Sequence, residues 1–203
     1  MKIHTFPPAP NARRLTIYLR EKGLDIPFQL VNLMEGEQFS NDYLAKNPAA
    51  KVPCLELPDG TIIVESVAIV EYLEETHPEN PMIGTRPVER ARVRGLERYA
   101  DIEVMGSMGI IAQNKMDLFA PRFTQSPQAV TYGQERLAIA LKVMDQRIGD
   151  NVFVAGDKVT IADCTLFAAL EFSAMAEVDI GEESYPNIKR WREAFGQRPS
   201  VEA

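Results

Sequence analysis

The chain has 203 residues, of which 45% are hydrophobic, and a formal net charge of -7 at pH 7. This composition is sufficient for a buried core in one large or two small domains. It excludes nucleic acid as a partner, because phosphate binding requires a basic surface. No apolar run approaches the roughly 18 residues of a membrane span, and the start MKIHTFPPAP lacks the apolar region of a signal peptide. We therefore expect a folded cytoplasmic protein with no membrane partner.

The few cysteines and histidines give no sign of a metal site. Cys54 and Cys164 lie far apart without a CxxC motif, and His4 and His77 have no partner at ligand spacing. Such cysteines are typical of small buried apolar residues. We expect no metal, no disulfide framework and a structural role for both histidines.

The first thirty residues predict a β-strand, an α-helix and a second β-strand. Residues 2–6 favour a strand, and three prolines between Pro7 and Pro10 end it. Asn11 stands where an N-cap is expected, and Gly23 is a suitable residue to end the helix. Residues 28–32 favour the next strand, so the βαβ unit is expected to pair its strands in parallel.

A β-hairpin and a helix follow. Residues 55–57 and 61–64 are short strand candidates, and Pro58-Asp59-Gly60 between them is typical of a tight turn. Helical spacing begins at Ser66 and continues to His77, and a short helix is expected between Gln38 and Lys46. The order βαβ–ββα predicts an α/β domain over residues 1–79.

The remainder of the chain predicts a separate, all-helical domain. Proline and glycine cluster in residues 80–87, which is typical of a linker. Residues 88–203 have helical periodicity, with helices expected at 88–118, 127–148, 161–176 and 186–197. Thr160 and Asp163 have the spacing of a capping box at the start of the third of these helices.

This order of elements resembles the cytosolic glutathione transferases. The resemblance is carried by Val52-Pro53 before the hairpin, Glu65-Ser66 at a helix start, and the segments FPPAPNARRLTIYLREKGL, NPAAKVPCLELPDGTIIVESVAIVEYLEE and YPNIKRWREAFGQRPSV. It implies a thioredoxin-like first domain, an all-helical second domain, glutathione as substrate without a metal, a homodimer and a role in detoxification. The segment EGEQF is also similar to bacterial Nu-type members, in which a glutamine at this place contacts glutathione.

The resemblance assigns a role to each end of glutathione. Val52-Pro53 is expected to be cis, so that the backbone of Val52 pairs with the extended tripeptide. Ser66, at a helix N-terminus, is expected to bind the glutamyl carboxylate, and Glu65 the ammonium. The alternative is that Ser66 only caps its helix and Glu65 faces water. Lys51 and Gln38 are the candidates for the glycyl carboxylate, although Lys51 is equally well explained as a solvated lysine.

The residue that activates the thiol is the point at which this chain departs from the family. The positions at which relatives carry tyrosine, serine or cysteine are Thr5, Ala9 and Asn11. Asn11 is the best candidate, because its amide can donate to sulfur while its carbonyl caps the helix. The alternative is a simple N-cap. Arg13 and Arg14 follow in a first helical turn, where the helix dipole disfavours cations. This placement suggests a use, either the attraction of anionic glutathione or pairing across domains, and the sequence does not distinguish the two.

An apolar pocket for an electrophile is expected on the helical domain. The candidates are Met105, Met108 and Ile111 on the first long helix, together with Phe6 and Phe119. At helical spacing such residues equally suit a core or a subunit interface.

Three functions are consistent with these residues. The first is glutathione conjugation to small apolar electrophiles. The second keeps the same site and uses glutathione to reduce disulfides or peroxides, as in Nu-type relatives, and is favoured by Asn11 and Gln38. The third is a non-catalytic binding module, which is favoured by the missing tyrosine, serine and cysteine.

Overall fold

A computed structural model of the chain describes residues 1–202 and divides the chain into two compact units, Met1–Met82 and a second that begins at Ile83. The first is a small α/β unit and the second is helical, so the predicted fold class is confirmed. No helix in residues 1–202 is long and apolar enough to cross a membrane.

The first unit is built on a four-stranded sheet in the order β2-β1-β3-β4. Its elements are β1 (Lys2–Thr5), α1 (Pro10–Lys22), β2 (Phe28–Leu30), α2 (Asn41–Leu44), β3 (Cys54–Glu56), β4 (Ile62–Val64) and α3 (Ser66–Thr76). β1 pairs in parallel with β2 and antiparallel with β3, and β3 pairs antiparallel with β4. The parallel βαβ unit and the hairpin are therefore both present as predicted.

Two local turns follow the sequence signals closely. Gly23 ends α1 at φ 76°, a left-handed conformation that glycine adopts without steric penalty. In the hairpin, the N–H of Gly60 donates to the carbonyl of Leu57 at 3.0 Å, which closes the turn around Pro58 and Asp59. The predicted short helix after Gln38 is divided into a 3-10 turn (Glu37–Phe39) and α2.

One face of the sheet carries a polar cluster centred on Glu56. Its carboxylate bonds to Nε2 of His4 at 2.7 Å and to Nζ of Lys46 at 3.0 Å. These two contacts, with His4 contributing most, lower the pKa of Glu56 to about 2. The contact of His4 with Glu56 joins β1 to β3, which agrees with the expected structural role of His4.

The C-terminal ends of α1 and α3 are joined by a buried ion pair. Nζ of Lys22 lies 2.9 Å from Oε1 of Glu74, and their side chains are only 1% and 2% exposed. The hydroxyl of Tyr18 donates to the same carboxylate at 2.8 Å, and the backbone N–H of Met82 donates to it at 3.3 Å. Lys22 also donates to the carbonyl of Glu79 at 2.8 Å. The cluster thus fastens the last residues of the unit to its helices.

The helical unit is built around α7. Its helices are α4 (Pro87–Tyr99), α5 (Gly106–Lys115), α6 (Pro127–Ile148), α7 (Ile161–Met175) and α8 (Pro186–Phe195), and a π-helical stretch (Ala100–Met105) joins α4 to α5. The capping box of Thr160 and Asp163 is present as predicted. Asp163 also accepts from the backbone N–H of Val154 at 2.8 Å and from Nε1 of Trp191 at 2.9 Å, which ties α7 to a preceding loop and to α8. Burial raises the pKa of this carboxyl to about 6, although these donors oppose the shift.

We predict that Glu74→Gln lowers the free energy of unfolding by about 3 kcal/mol, because it leaves the buried Lys22 ammonium without its anion. Denaturant unfolding monitored by circular dichroism measures this loss. Glu75→Gln on the exposed side of the same helix is the control and is expected to change stability by less than about 0.5 kcal/mol. Equal effects of the two variants would show that the buried pair contributes nothing specific.

Candidate functional site

The start of α1 differs from the predicted arrangement. The helix begins at Pro10 and its N-cap is Ala9, whose side chain makes no capping bond. Proline suits this first helical position because its missing N–H would have no helical partner there. Asn11 is therefore the second helical residue, and the prediction that its carbonyl caps the helix is wrong. That carbonyl instead accepts a hydrogen bond from Nη2 of Arg14.

Arg14 is the residue of this site that sequence reasoning did not assign. Its side chain is buried, with the residue only 3% exposed. The same Nη2 that contacts Asn11 also donates to Oγ of Ser66 at 2.7 Å. One guanidinium therefore joins the first turn of α1 to the first turn of α3. One feature of the sequence could have pointed to this role. A basic residue in a predicted first helical turn is opposed by the helix dipole, so its presence there calls for a reason.

Ser66 does not act as a cap. It is the first residue of α3, it is 2% exposed, and the N-cap position belongs to Glu65. Glu65 has φ 67° and an exposed side chain. The alternative in which Ser66 merely caps its helix is thus wrong, and its hydroxyl lies instead against the Arg14 guanidinium.

The loop before the hairpin is held beside the start of α1. The Val52-Pro53 bond is cis, as expected. Val52 is buried in a cluster with Val31, Tyr43 and Cys54, and Phe6 and Ala9 pack against the same cluster. Because Ala9 immediately precedes α1, this packing places Val52 close to the first turn that carries Asn11.

Two side chains fix the carbonyl that precedes Val52. The hydroxyl of Tyr43 donates to the carbonyl of Lys51 at 2.6 Å, and Nδ2 of Asn47 donates to it at 2.8 Å. Tyr43 also lies 3.8 Å from the sulfur of Cys54, and burial raises the pKa of both groups. Cys54 is therefore a protonated core thiol, as the sequence indicated. The side chain of Lys51, in contrast, is exposed.

The remaining candidates are divided between the two units. Gln38 is buried, and its Nε2 donates at 3.5 Å to the carbonyl of Leu33 within its own loop. Met108 and Ile111 have no exposed surface, which contradicts their expected place in an open pocket. Ile111 packs on α6, where an added Cβ at Gly133 would lie 2.7 Å from Cγ1 of Ile111.

The three other pocket candidates either retain some solvent-exposed surface or lie outside the core of the helical unit. Met105 is buried at 7% exposure, and Phe119 is half-buried in a 3-10 turn with its ring 6.4 Å from that of Phe123. Phe6 is partly buried in the cluster that contains Val52.

Within residues 1–202, no group of three or more His, Cys, Asp or Glu side chains is arranged to hold a metal ion.

The arrangement is suited to binding an anion in the first unit. Two helix N-termini, which carry partial positive charge, meet at one buried cation. The amide of Asn11 and the hydroxyl of Ser66 are polar groups next to that cation. Such a site favours a ligand with negative charge close to both helices.

Comparison with known proteins decides the family. Residues 3–81 match the family described as "Glutathione S-transferase, N-terminal domain", and residues 108–199 match "Glutathione S-transferase, C-terminal domain". The chain belongs to the glutathione S-transferase superfamily. This agrees with the resemblance that the sequence motifs indicated, and the two matches cover one region in each structural unit.

Several known proteins resemble the chain over most of its length. Glutathione S-transferase 2 of Saccharomyces cerevisiae is 29% identical over 99% of the chain and 88% of the relative. Maleylacetoacetate isomerase of Dictyostelium discoideum is 34% identical over 87% of the chain and 80% of the relative. The crystal structure of a glutathione S-transferase domain-containing protein from Marinobacter aquaeolei VT8 has a TM-score of 0.91 and 33% identity, with full coverage of both chains.

We predict that Tyr43→Phe loosens the Lys51–Val52 segment of this superfamily member. The variant removes a 2.6 Å hydrogen bond to the Lys51 carbonyl and leaves only Asn47 to hold it. The expected loss of stability is about 1 kcal/mol, accompanied by faster hydrogen exchange of the Val52 amide. Tyr132→Phe, at an exposed tyrosine of α6, is the control. Unchanged exchange at Val52 in the Tyr43 variant would contradict the proposed tether.

Proposed function

We propose that the protein is a glutathione transferase that joins the glutathione thiolate to small apolar electrophiles. The observation that carries this proposal is the meeting of Asn11 and Ser66 at the buried Arg14 guanidinium, in a unit that matches the N-terminal domain of the superfamily. These groups offer hydrogen-bond donors and positive potential to a peptide that carries two carboxylates and a thiol.

The glutamyl end of the tripeptide is assigned to the start of α3. In this proposal the α-carboxylate accepts from the hydroxyl and the backbone N–H of Ser66, where the helix dipole favours negative charge. The exposed carboxylate of Glu65 receives the ammonium. The backbone of Val52, beside Pro53, pairs with the cysteinyl residue of glutathione as an added strand would.

The glycyl carboxylate is assigned to Lys51 with a contribution from Gln38. The exposed ammonium of Lys51 is free to move toward a ligand at the rim of the loop. Gln38 is buried and its amide donates to Leu33 at the long distance of 3.5 Å, so its contribution requires only that this weak bond be exchanged.

The thiol is assigned to Asn11 at the start of α1. A free thiol has a pKa of about 8.5, and lowering this by about two units requires about 2.7 kcal/mol of preferential stabilisation of the thiolate. A hydrogen bond from Nδ2 of Asn11, together with the positive end of α1, supplies stabilisation of this kind. The thiolate then attacks the electrophilic carbon, a C–S bond forms, and the leaving group departs with the electron pair of the broken bond.

The electrophile is assigned to apolar side chains. Phe6, Met105 and Phe119 remain candidates, because each retains some exposed area or lies beside Val52. Flexible and aromatic side chains suit substrates of varied shape. Met108 and Ile111 are left out of this proposal, since both are fully buried.

A second candidate function is glutathione-dependent isomerisation of a conjugated double bond. It is favoured by the 34% identity to the Dictyostelium maleylacetoacetate isomerase. In that reaction the thiolate adds to one carbon of the double bond, and the π electrons move to the conjugated carbonyl. Rotation about the new single bond follows, and loss of the thiolate restores the double bond in the other geometry.

A panel of three substrates tests these reactions against one another. We expect glutathione to raise the melting temperature and to support turnover of a chloronitrobenzene at a higher rate than that of a hydroxyethyl disulfide or a cis-enedione. Fastest turnover of the disulfide would assign the reductase reaction, and fastest turnover of the enedione the isomerase reaction. No thermal shift and no turnover at millimolar glutathione would leave the non-catalytic binding module as the better account.

We predict that Asn11 mainly affects kcat and that Ser66 mainly affects the Kd for glutathione. Asn11→Ala is expected to lower kcat by about tenfold or more with a smaller change in the Kd for glutathione, because it removes a bond to the thiolate. Ser66→Ala is expected to raise that Kd by about tenfold. Asn41→Ala at an exposed asparagine is the control. Equal losses of rate and affinity in Asn11→Ala would remove Asn11 from the activation step.

We also propose that the protein is a homodimer in which the first unit of one copy covers α4 of the other. α4 presents four exposed arginines, Arg90, Arg92, Arg94 and Arg98. One of them, Arg92, lines a cavity of about 390 Å³. Residues 1–82 contain twelve Asp and Glu side chains against seven Lys and Arg. The opposite charges of these two surfaces favour association of two copies.

The expected result is a dimer in sedimentation that dissociates more readily in high salt and in Arg92→Glu, because both weaken the attraction between the two surfaces. Arg92 lines the cavity on α4. Lys158→Glu, which makes the same charge change at an exposed position outside α4, is the control. A monomer at all concentrations, or a dimer that is indifferent to Arg92→Glu, would rule out this interface.

A further inference from the structure

Arg14 occupies a position that opposes two physical preferences. It is the fifth residue of α1, close to the positive end of the helix dipole, and it is only 3% exposed, so its charge has lost most of its hydration. Burial of a cation requires hydrogen-bond partners. Two of those partners are Asn11 and Ser66, which belong to different helices.

We infer that Arg14 is a positioning residue that orients Asn11 and Ser66 as hydrogen-bond donors toward glutathione, and so couples ionisation of the thiol to binding of the glutamyl carboxylate. This inference rests on the proposed function. It assigns to Arg14 no contact with the reacting atoms, since its action passes through its two neighbours.

The contact with Arg14 determines which end of the Asn11 amide is available. A guanidinium has five N–H donors and no acceptor, so the amide atom that faces it has to be the oxygen. The NH₂ group therefore points away from the cation. Asn11 is only half-buried, so this NH₂ group is available to donate to a thiolate. Without Arg14, either end of the amide could face the sulfur.

The same reasoning applies to the hydroxyl of Ser66. A hydroxyl has one proton and two lone pairs, and at 2.7 Å one lone pair accepts from Nη2 of Arg14. The proton is therefore directed elsewhere, and Ser66 does not use its side chain to cap α3. Hydrogen bonding to a cation also polarises the hydroxyl and strengthens it as a donor to a carboxylate.

The geometry favours an arginine over a lysine. Asn11 lies one turn before Arg14 on α1, whereas Ser66 lies on α3, 52 residues further along the chain. A planar guanidinium holds two such acceptors in a fixed relation, whereas an ammonium on a flexible chain acts as a point charge. Arg14→Lys thus keeps the charge and removes the fixed orientation.

The first test is to measure the pKa of the bound glutathione thiol in Arg14→Lys by its thiolate ultraviolet absorbance, together with the Kd for glutathione by calorimetry. We expect the Kd to rise by about tenfold and the thiol pKa to move upward toward its value in free glutathione. Arg20→Lys, at an exposed arginine in the last turn of the same helix, is the control and is expected to change neither quantity.

A double-mutant cycle separates positioning from a purely structural role. In the Asn11→Ala/Ser66→Ala background, Arg14→Lys is expected to change the thiol pKa and the Kd no further, because the groups through which it acts are gone. If Arg14→Lys lowers only the melting temperature, or if its effects add fully in that background, the inference is overturned.

Asn11→Asp provides a test that keeps Arg14 intact. The aspartate still accepts from the guanidinium but offers oxygen in place of NH₂ to the sulfur, so the thiol pKa is expected to rise above that of the parent protein. A pKa unchanged in Asn11→Asp would overturn the inference even if Arg14→Lys failed to fold. If the parent protein binds no glutathione, the proposed function is overturned as well. If the parent protein binds glutathione and Arg14→Lys changes neither the Kd nor the thiol pKa, this inference alone is overturned.

Discussion

The site depends on one buried cation placed between two helix N-termini. Arg14 brings the positive ends of α1 and α3 to the same point, although each end alone would repel it. Hydrogen bonds to Asn11 and Ser66 offset part of the desolvation of its guanidinium. A site that is already electropositive and already hydrogen-bonded needs little rearrangement when an anionic peptide arrives, and this preorganisation preserves binding energy.

Most of the fold could be predicted because its signals are local. Gly23, the Pro58-Asp59-Gly60 turn and the Thr160 capping box each act within a few residues, so their sequence spacing determines their geometry. The parallel pairing of β1 and β2 follows from the length of the intervening helix. Family resemblance supplied what spacing alone does not, namely the cis bond before Pro53.

The errors in the site arose where contacts are not local. Asn11 was predicted to be a cap because it follows the prolines, but Pro10 itself opens the helix and moves the cap to Ala9. Arg14 was left without a role because its second partner, Ser66, is 52 residues away. For Ile111, helical spacing cannot distinguish a core residue from a pocket residue, and its contact with α6 decides in favour of the core.

For the proposed reaction, the absence of tyrosine, serine and cysteine at the usual positions changes how the thiol would be ionised. A neutral amide such as that of Asn11 is a weaker donor to an anion than the more acidic hydroxyl of a tyrosine, so its orientation and the surrounding potential carry more of the effect. In the proposed mechanism both are controlled by Arg14, which also contacts the residue proposed to receive the glutamyl carboxylate. Substrate affinity and thiol ionisation therefore share one side chain. A substitution that alters Arg14 cannot tune one of these properties without the other, which is a constraint that a separate tyrosine or serine would not impose.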